Sequence, residues 1–167
     1  IMDIIVEGFS EALRLIISLD SEVFEVVRTS LYVTFVSLVI AGAAGIPAGL
    51  LTAGHEFRLK GLLTRVIYTL MGMPPVLCGL VVYVVFTRRG LLGSLSLNYT
   101  TTVMVIAQIL LIFPIIMGIT IGAARERQGD VRRLARTLGA GKWQTGGLLL
   151  FELRAGLVTA VVSGFSR

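Results

Sequence analysis

The stretch VIYTLMGMPPVLCGLVVYVVF, residues 66–86, contains no Asp, Glu, Lys, Arg or His. It exceeds the roughly 20 residues that an α-helix needs to cross the hydrocarbon layer of a membrane. It also holds two consecutive prolines, Pro74 and Pro75, where a helix would lose backbone donors and bend. Two further uncharged stretches flank it, at 29–54 and 90–124. A chain of 167 residues cannot hide three such segments in one aqueous core, so lipid must receive much of this surface. The predicted fold is therefore all-α, a polytopic membrane helical bundle.

Composition agrees. Hydrophobic residues make up 55% and charged ones 15%, and the mean hydropathy is +0.89, well outside the balance of soluble domains. The net charge of +5 arises from basic residues clustered between apolar runs, which fits topology signals and anionic lipid headgroups rather than a nucleic-acid surface. Cys78 and His55 are each the sole residue of their kind. They allow no internal disulfide and no metal cluster, so no cofactor is expected. Cys78 reads as a small buried hydrophobe.

One domain is expected over 1–167. Residues 3–19 place Asp3, Glu7, Glu11 and Arg14 on one helical stripe, predicting an amphipathic helix in the membrane interface. Asp20 is expected to cap the next helix, with Leu19 and Phe24 as a hydrophobic staple. That helix runs from about 21 to 53, its apolar part beginning near 31, and further spans are placed at about 66–86 and 103–123. The polar run Asn98-Tyr99-Thr100-Thr101-Thr102 lies outside the third span and contains a short glycosylation-like pattern. A loop at 124–154 follows. Residues 155–167 read as the start of a fourth span, so the chain is expected to be truncated at its C-terminal end. The acidic start carries none of the basic charge of a secretory leader, and an initial Ile suggests a fragment or a trimmed start.

Pro47, Pro74, Pro75 and Pro114 are all expected to bend spans, and Gly42, Gly45, Gly72 and Gly79 to allow close helix approach. Such irregularity suits either tight packing or a translocation path, for which Met73, Pro74, Pro75, Gln108 and Pro114 are the candidates. Three basic residues in 54–65 and seven in 124–154 oppose four on the other side. The positive-inside bias thus puts the N-terminus outside and 124–154 in the cytoplasm.

Within that loop, Asp130 is expected to start a short helix and Gly139 to end it in the left-handed conformation. Val131, Leu134, Ala135 and Leu138 fall at i, i+3, i+4 and i+7, giving one apolar side. So short a helix must dock on something, either its own bundle or another protein.

The run Arg133-Leu134-Ala135-Arg136-Thr137-Leu138-Gly139-Ala140 resembles the cytoplasmic signature of ABC importer permeases, Glu-Ala-Ala, three residues, then Gly. Arg133 and Leu134 replace the first Glu and Ala, and Leu149-Leu150-Phe151-Glu152 stands where the family often has Ile-x-Leu-Pro. Met71-Gly72-Met73-Pro74-Pro75-Val76, Ala107-Gln108, Phe113-Pro114-Ile115 and Ser163-Gly164-Phe165-Ser166-Arg167 are similar to the tungstate and molybdate branch of those permeases.

The resemblance implies a type I importer permease that moves an oxyanion: tungstate first, molybdate or sulfate otherwise. It implies no catalysis in this chain and hydrolysis by an ATP-binding cassette ATPase subunit. The other implied partners are an extracytoplasmic substrate-binding protein, a second permease copy forming a homodimer, and membrane lipid. The implied ATPase-coupling residues are Val131, Leu134, Ala135, Arg136, Thr137, Leu138, Gly139, Ala140 and Trp143, on a coupling helix. The chain itself has no phosphate-cradling Gly-rich Lys motif. An ion-coupled secondary transporter or channel is the competing class. It would call for an acidic or histidine relay within the membrane, which the three uncharged stretches lack.

Overall fold

The computed structural model describes residues 21–88, 90–95 and 97–167. The helix expected at 3–19 and the cap at Asp20 lie outside them. The described residues form six α-helices and no strand: α1 (Ser21–Gly54), α2 (Lys60–Met71), α3 (Pro75–Phe86), α4 (Thr101–Thr137), α5 (Lys142–Glu152) and α6 (Arg154–Phe165), with a 3-10 turn at Gly93–Leu95.

The central element is α4, which packs against all five other helices. Ile112 and Ile116 of α4, Ala41 of α1 and Ala160 of α6 form one fully buried cluster. Ala53, Ala124 and Leu153 form a second, and Ile67 of α2 with Met117 and Ile121 of α4 a third. The outward faces stay apolar, with Leu31, Phe35, Val76, Leu80 and Val84 all exposed. That is the pattern of a bundle whose outer solvent is lipid. Inside it, hydroxyl and thiol groups find carbonyls in place of water: Ser37 Oγ donates to Val105 O across the α1–α4 seam at 3.2 Å, and buried Cys78 Sγ to Ala107 O at 3.4 Å.

Two helices, α1 and α4 over Thr101–Arg127, are long and apolar enough to cross a membrane. The stretch expected as a single span at 66–86 is instead divided: α2 and α3 meet at 103°. The cause is local. A residue before proline is pushed out of the helical region, so Pro75 holds Pro74 extended (φ −62°, ψ 136°) and Pro74 acts likewise on Met73. Pro47 and Pro114 have no such neighbour and sit inside continuous helices.

The loop expected at 124–154 is largely helical. No helix starts at Asp130, because α4 runs unbroken through it to Thr137. The residues before it, Ala123-Ala124-Arg125-Glu126-Arg127-Gln128, are good helix formers, and Gly129 alone costs only about 1 kcal/mol. After α5 the chain bends by 59° at buried Leu153 and continues as α6.

Candidate functional site

The last turns of α4, from Arg125 to Thr137, follow its apolar segment and carry Arg125, Arg127, Arg132, Arg133 and Arg136. The helix stops as the sequence predicts: Gly139 adopts φ +68°. Ala140 N–H reaches back to Ala135 O at 2.9 Å, and Leu138 N–H to Leu134 O at 3.2 Å. These bonds close the helix with a left-handed glycine in the Schellman manner. After the turn, α5 begins with Gln144 Oε1 accepting from Gly141 N–H at 2.8 Å, which fixes the entry of the next helix.

The apolar side expected from Val131, Leu134, Ala135 and Leu138 is split in two. Val131 and Ala135 face inward and are buried, whereas Leu134 is 57% and Leu138 73% exposed. The inner pair anchors the segment to its own bundle. The outer pair leaves two leucines uncovered on a rigid helical end, with Arg133 and Thr137 exposed beside them. Arg136 and Trp143 lie on α4 and α5, and Ala140 is half-buried in the turn between them.

Polar ties brace this projecting end. Arg127 Nη1 pairs with Glu152 Oε1 of α5 at 2.5 Å. Arg125 Nη2 donates to the buried Thr64 hydroxyl of α2 at 3.1 Å. Lys60, at the start of α2, donates to Ala53 O at the end of α1 at 3.1 Å and pairs with Glu56 at 2.7 Å. The hydrogen bond and charge of Lys60 hold the Glu56 carboxyl below the usual carboxylate range. Glu56, Phe57, Lys60 and Arg125 line an open cleft of about 540 Å³. Sequence reasoning did not single out these bracing residues. Only the i,i+4 spacing of Glu56 and Lys60 is a local signal; the other pairings are long-range.

The candidate path residues sit about the α2–α3 break. Met71 lies against Gly118, where a side chain would meet its sulfur, and Cys78 lies against Ala107. The break therefore falls along α4 between Ala107 and Gly118, an interval that contains Gln108 and Pro114. Pro114 is buried, Met73 and Gln108 are half-buried, and Pro74 and Pro75 are exposed. At the opposite end of the bundle, half-buried Asn98 donates from Nδ2 to Thr87 Oγ1 at 3.3 Å.

Residues 45–151 match the family described as binding-protein-dependent transport system inner membrane component. The chain is 43% identical over 166 residues to the tungstate uptake system permease protein of Peptoclostridium acidaminophilum, covering 99% of this chain and 73% of that protein. It is 32% identical over 142 residues to a probable anion ABC transporter permease protein of Haloferax volcanii, covering 85% of this chain and 61% of that one. To the molybdenum transport system permease protein of Mycobacterium tuberculosis it is 31% identical over 141 residues, covering 78% of this chain and 52% of that one.

Proposed function

The chain belongs to the family of binding-protein-dependent transport system inner membrane components, and on that footing we propose that it is the membrane-spanning subunit of an ATP-driven importer of an oxyanion. Tungstate is the first candidate, since a relative at 43% identity is named as a tungstate uptake permease; molybdate and sulfate follow from the names of others. In this reading the chain hydrolyses nothing. A separate ATP-binding cassette subunit burns the nucleotide, an extracytoplasmic protein delivers the anion, and a second copy of the permease completes the path. The basic end faces the cytoplasm and the N-terminus lies outside.

The observation that carries this reading is the pair Leu134 and Leu138, exposed on a helix end whose other apolar residues, Val131 and Ala135, are buried. Buried anchors transmit force into the bundle, and exposed leucines supply the contact that receives it. Because α4 is one helix from Thr101 to Thr137, displacement of its projecting end acts directly on the helix that packs against every other. Closure of the ATPase subunits then rocks packed helices between two arrangements, as rigid-body switching requires. The coupling segment is the end of the central span itself, not a separate short helix.

The test is co-purification of the full-length permease with its ATPase subunit. Leu138→Asp combined with Gly139→Asp abolishes the association if these residues form the contact; unchanged association sinks the assignment.

A further inference from the structure

The connection from α3 to α4 encloses a cavity of about 430 Å³ between Tyr83, Phe86, Thr87, Arg88, Asn98 and Tyr99. Every wall comes from the stretch 83–99, so its shape is set locally, by how the loop folds back on the end of α3. Gly90 N–H donates to Thr87 O at 2.6 Å, and Leu92 N–H to Val85 O at 2.9 Å. A Cβ added at Gly90 or Gly93 would collide with the carbonyls of Val84 and Thr87, so only glycine lets the loop close here. Carbonyls at the end of α3 are thereby taken up by the loop's own N–H groups. What remains for the cavity is side chains: two phenols, the Thr87 hydroxyl, the Asn98 amide and the Arg88 guanidinium.

Two local costs converge there. Tyr99 stands at φ 64°, a conformation that costs a residue with a Cβ about 1–2 kcal/mol. Its ring meets that of Tyr83 edge to face at 6.2 Å, with the hydroxyls 3.4 Å apart, which offsets only part of this. The Asn98 amide donates from Nδ2 to Thr87 Oγ1, but its Oδ1 is buried without a partner among the described residues, a deficit of about 1–3 kcal/mol. Strain and unmet polar groups that gather at one cavity point to a use other than stability.

The lining defines the ligand class. It holds one fixed positive charge, four neutral groups able to donate, and no carboxylate. That set suits an anion with several oxygens; a hard metal cation would call for carboxylates or for the carbonyls already taken. A single charge among neutral donors holds a dianion loosely, as a site on a route requires.

We propose that this cavity is the outer receiving site of the transported oxyanion, where Arg88 supplies the attraction and Tyr83, Thr87, Asn98 and Tyr99 donate to its oxygens. This rests on the importer reading, which places the loop outside. It gives the route a polar station ahead of the uncharged spans.

The first measurement needs no variant. Full-length permease in detergent, at a pH where molybdate and tungstate are tetrahedral dianions, is nitrated with tetranitromethane, and each tyrosine is followed by mass spectrometry. Nitration of Tyr83 and Tyr99 should slow about twofold when half the sites are filled by either oxyanion, and not with chloride at equal ionic strength. Tyr68, on α2, is the internal control and should not respond. In Arg88→Gln about tenfold more oxyanion should be needed for the same protection, as expected for the loss of one charged interaction, whereas Arg88→Lys keeps the charge and should stay close to the wild type. Arg88 is exposed, so neither change threatens the fold. Absence of protection by either oxyanion overturns the proposal, as does undiminished protection in Arg88→Gln. Protection by the oxyanion-free binding protein, with none by the oxyanions alone, also overturns it and makes the cavity a docking surface for that partner. Uptake by the complete wild-type assembly with ATP tests the importer reading separately: its absence sinks that reading, and the tyrosines still decide the cavity.

Discussion

Gly49 of α1 lies against Thr120 of α4 with no room for a side chain: a Cβ added there would stand 2.8 Å from Thr120 Cβ and 3.0 Å from Met117 O. One turn earlier, a Cβ added at Gly45 would stand 3.2 Å from Ile116 Cγ2. The two glycines, four residues apart, make the small-residue seam along which α1 and α4 pack without a hydrophobic drive from water. Gly49→Ala is expected to destabilise the full-length permease by about 1–3 kcal/mol, because one obstacle is backbone and cannot rotate aside. Gly42→Ala, with nothing within 4 Å of its added Cβ, should instead gain up to about 1 kcal/mol from helix propensity. Thermal unfolding in detergent would show the opposite signs. Equal effects at both positions would mean the seam is not where α1 and α4 approach closest.

The two halves of the projecting apolar side should separate by assay. Leu134→Ala and Leu138→Ala remove exposed side chains, so stability should change little while ATPase association weakens, by about 2 kcal/mol or more if they are anchors of the contact. Ala135→Leu enlarges a buried position and should destabilise the permease by about 1–3 kcal/mol before any effect on association. Gly139→Ala forces a side chain into the left-handed region and should cost about 1–2 kcal/mol, loosening the turn that sets α5. Co-purification and thermal unfolding, measured on the same variants, separate contact from scaffold. A stability loss in Leu138→Ala equal to that in Ala135→Leu would mean both are core.

How much of this was legible in the sequence depended on the range of the interaction. The end of α4 was readable because a glycine in the left-handed conformation is a local signal, and Gly139 does adopt φ +68°. The start expected at Asp130 failed because capping residues permit a helix start but do not require one, and nothing upstream interrupts the helix. Similarly, all four prolines are expected to bend spans, but only the adjacent pair ends a helix, since a lone proline costs one backbone bond that a continuous helix can absorb. Of the glycines expected at close approaches, Gly45 is at one, whereas Gly42 and Gly79 have open space around them. Gly49 is tighter than any of these, and only the facing residues Met117 and Thr120 reveal it. The Arg125–Thr64 and Arg127–Glu152 ties were illegible for the same reason: their partners are set by packing.

The Glu56–Lys60 pair gives a pH dependence with a definite sign. Lys60 lowers the folded-state pKa of Glu56, so its contribution is present above the unfolded carboxylate pKa and is lost as pH falls through the lowered folded value. Because Glu56 is fully exposed, the effect should be small and screened by salt. Glu56→Gln should flatten the acid limb of the stability curve while leaving it unchanged at neutral pH apart from the loss of the pair. Thermal unfolding between acidic and neutral pH, at low and high salt, checks this. An acid limb identical in the Gln variant would place the titrating group elsewhere.

The break at Met73-Pro74-Pro75 should weaken when either proline is replaced and yield fully to a double substitution. Pro75 pushes Pro74 out of the helical region, and Pro74 does the same to Met73, whereas either proline alone would stand as Pro47 and Pro114 do, inside a continuous helix. Pro75→Ala or Pro74→Ala is therefore expected to reduce the 103° break between α2 and α3 toward an ordinary proline kink. With both replaced, 60–86 can become one helix of about 40 Å, and the penalty against it falls to that of Gly72, about 1 kcal/mol. Straightening would carry α3 away from α4, costing the contact of Cys78 with Ala107 O. The double variant should thus insert and assemble yet lose transport, while each single variant retains part of it. Spin-label distances between Leu63 and Tyr83 would report the angle directly. A double variant whose distance matches the wild type would show that packing against α4, rather than the proline pair, imposes the bend.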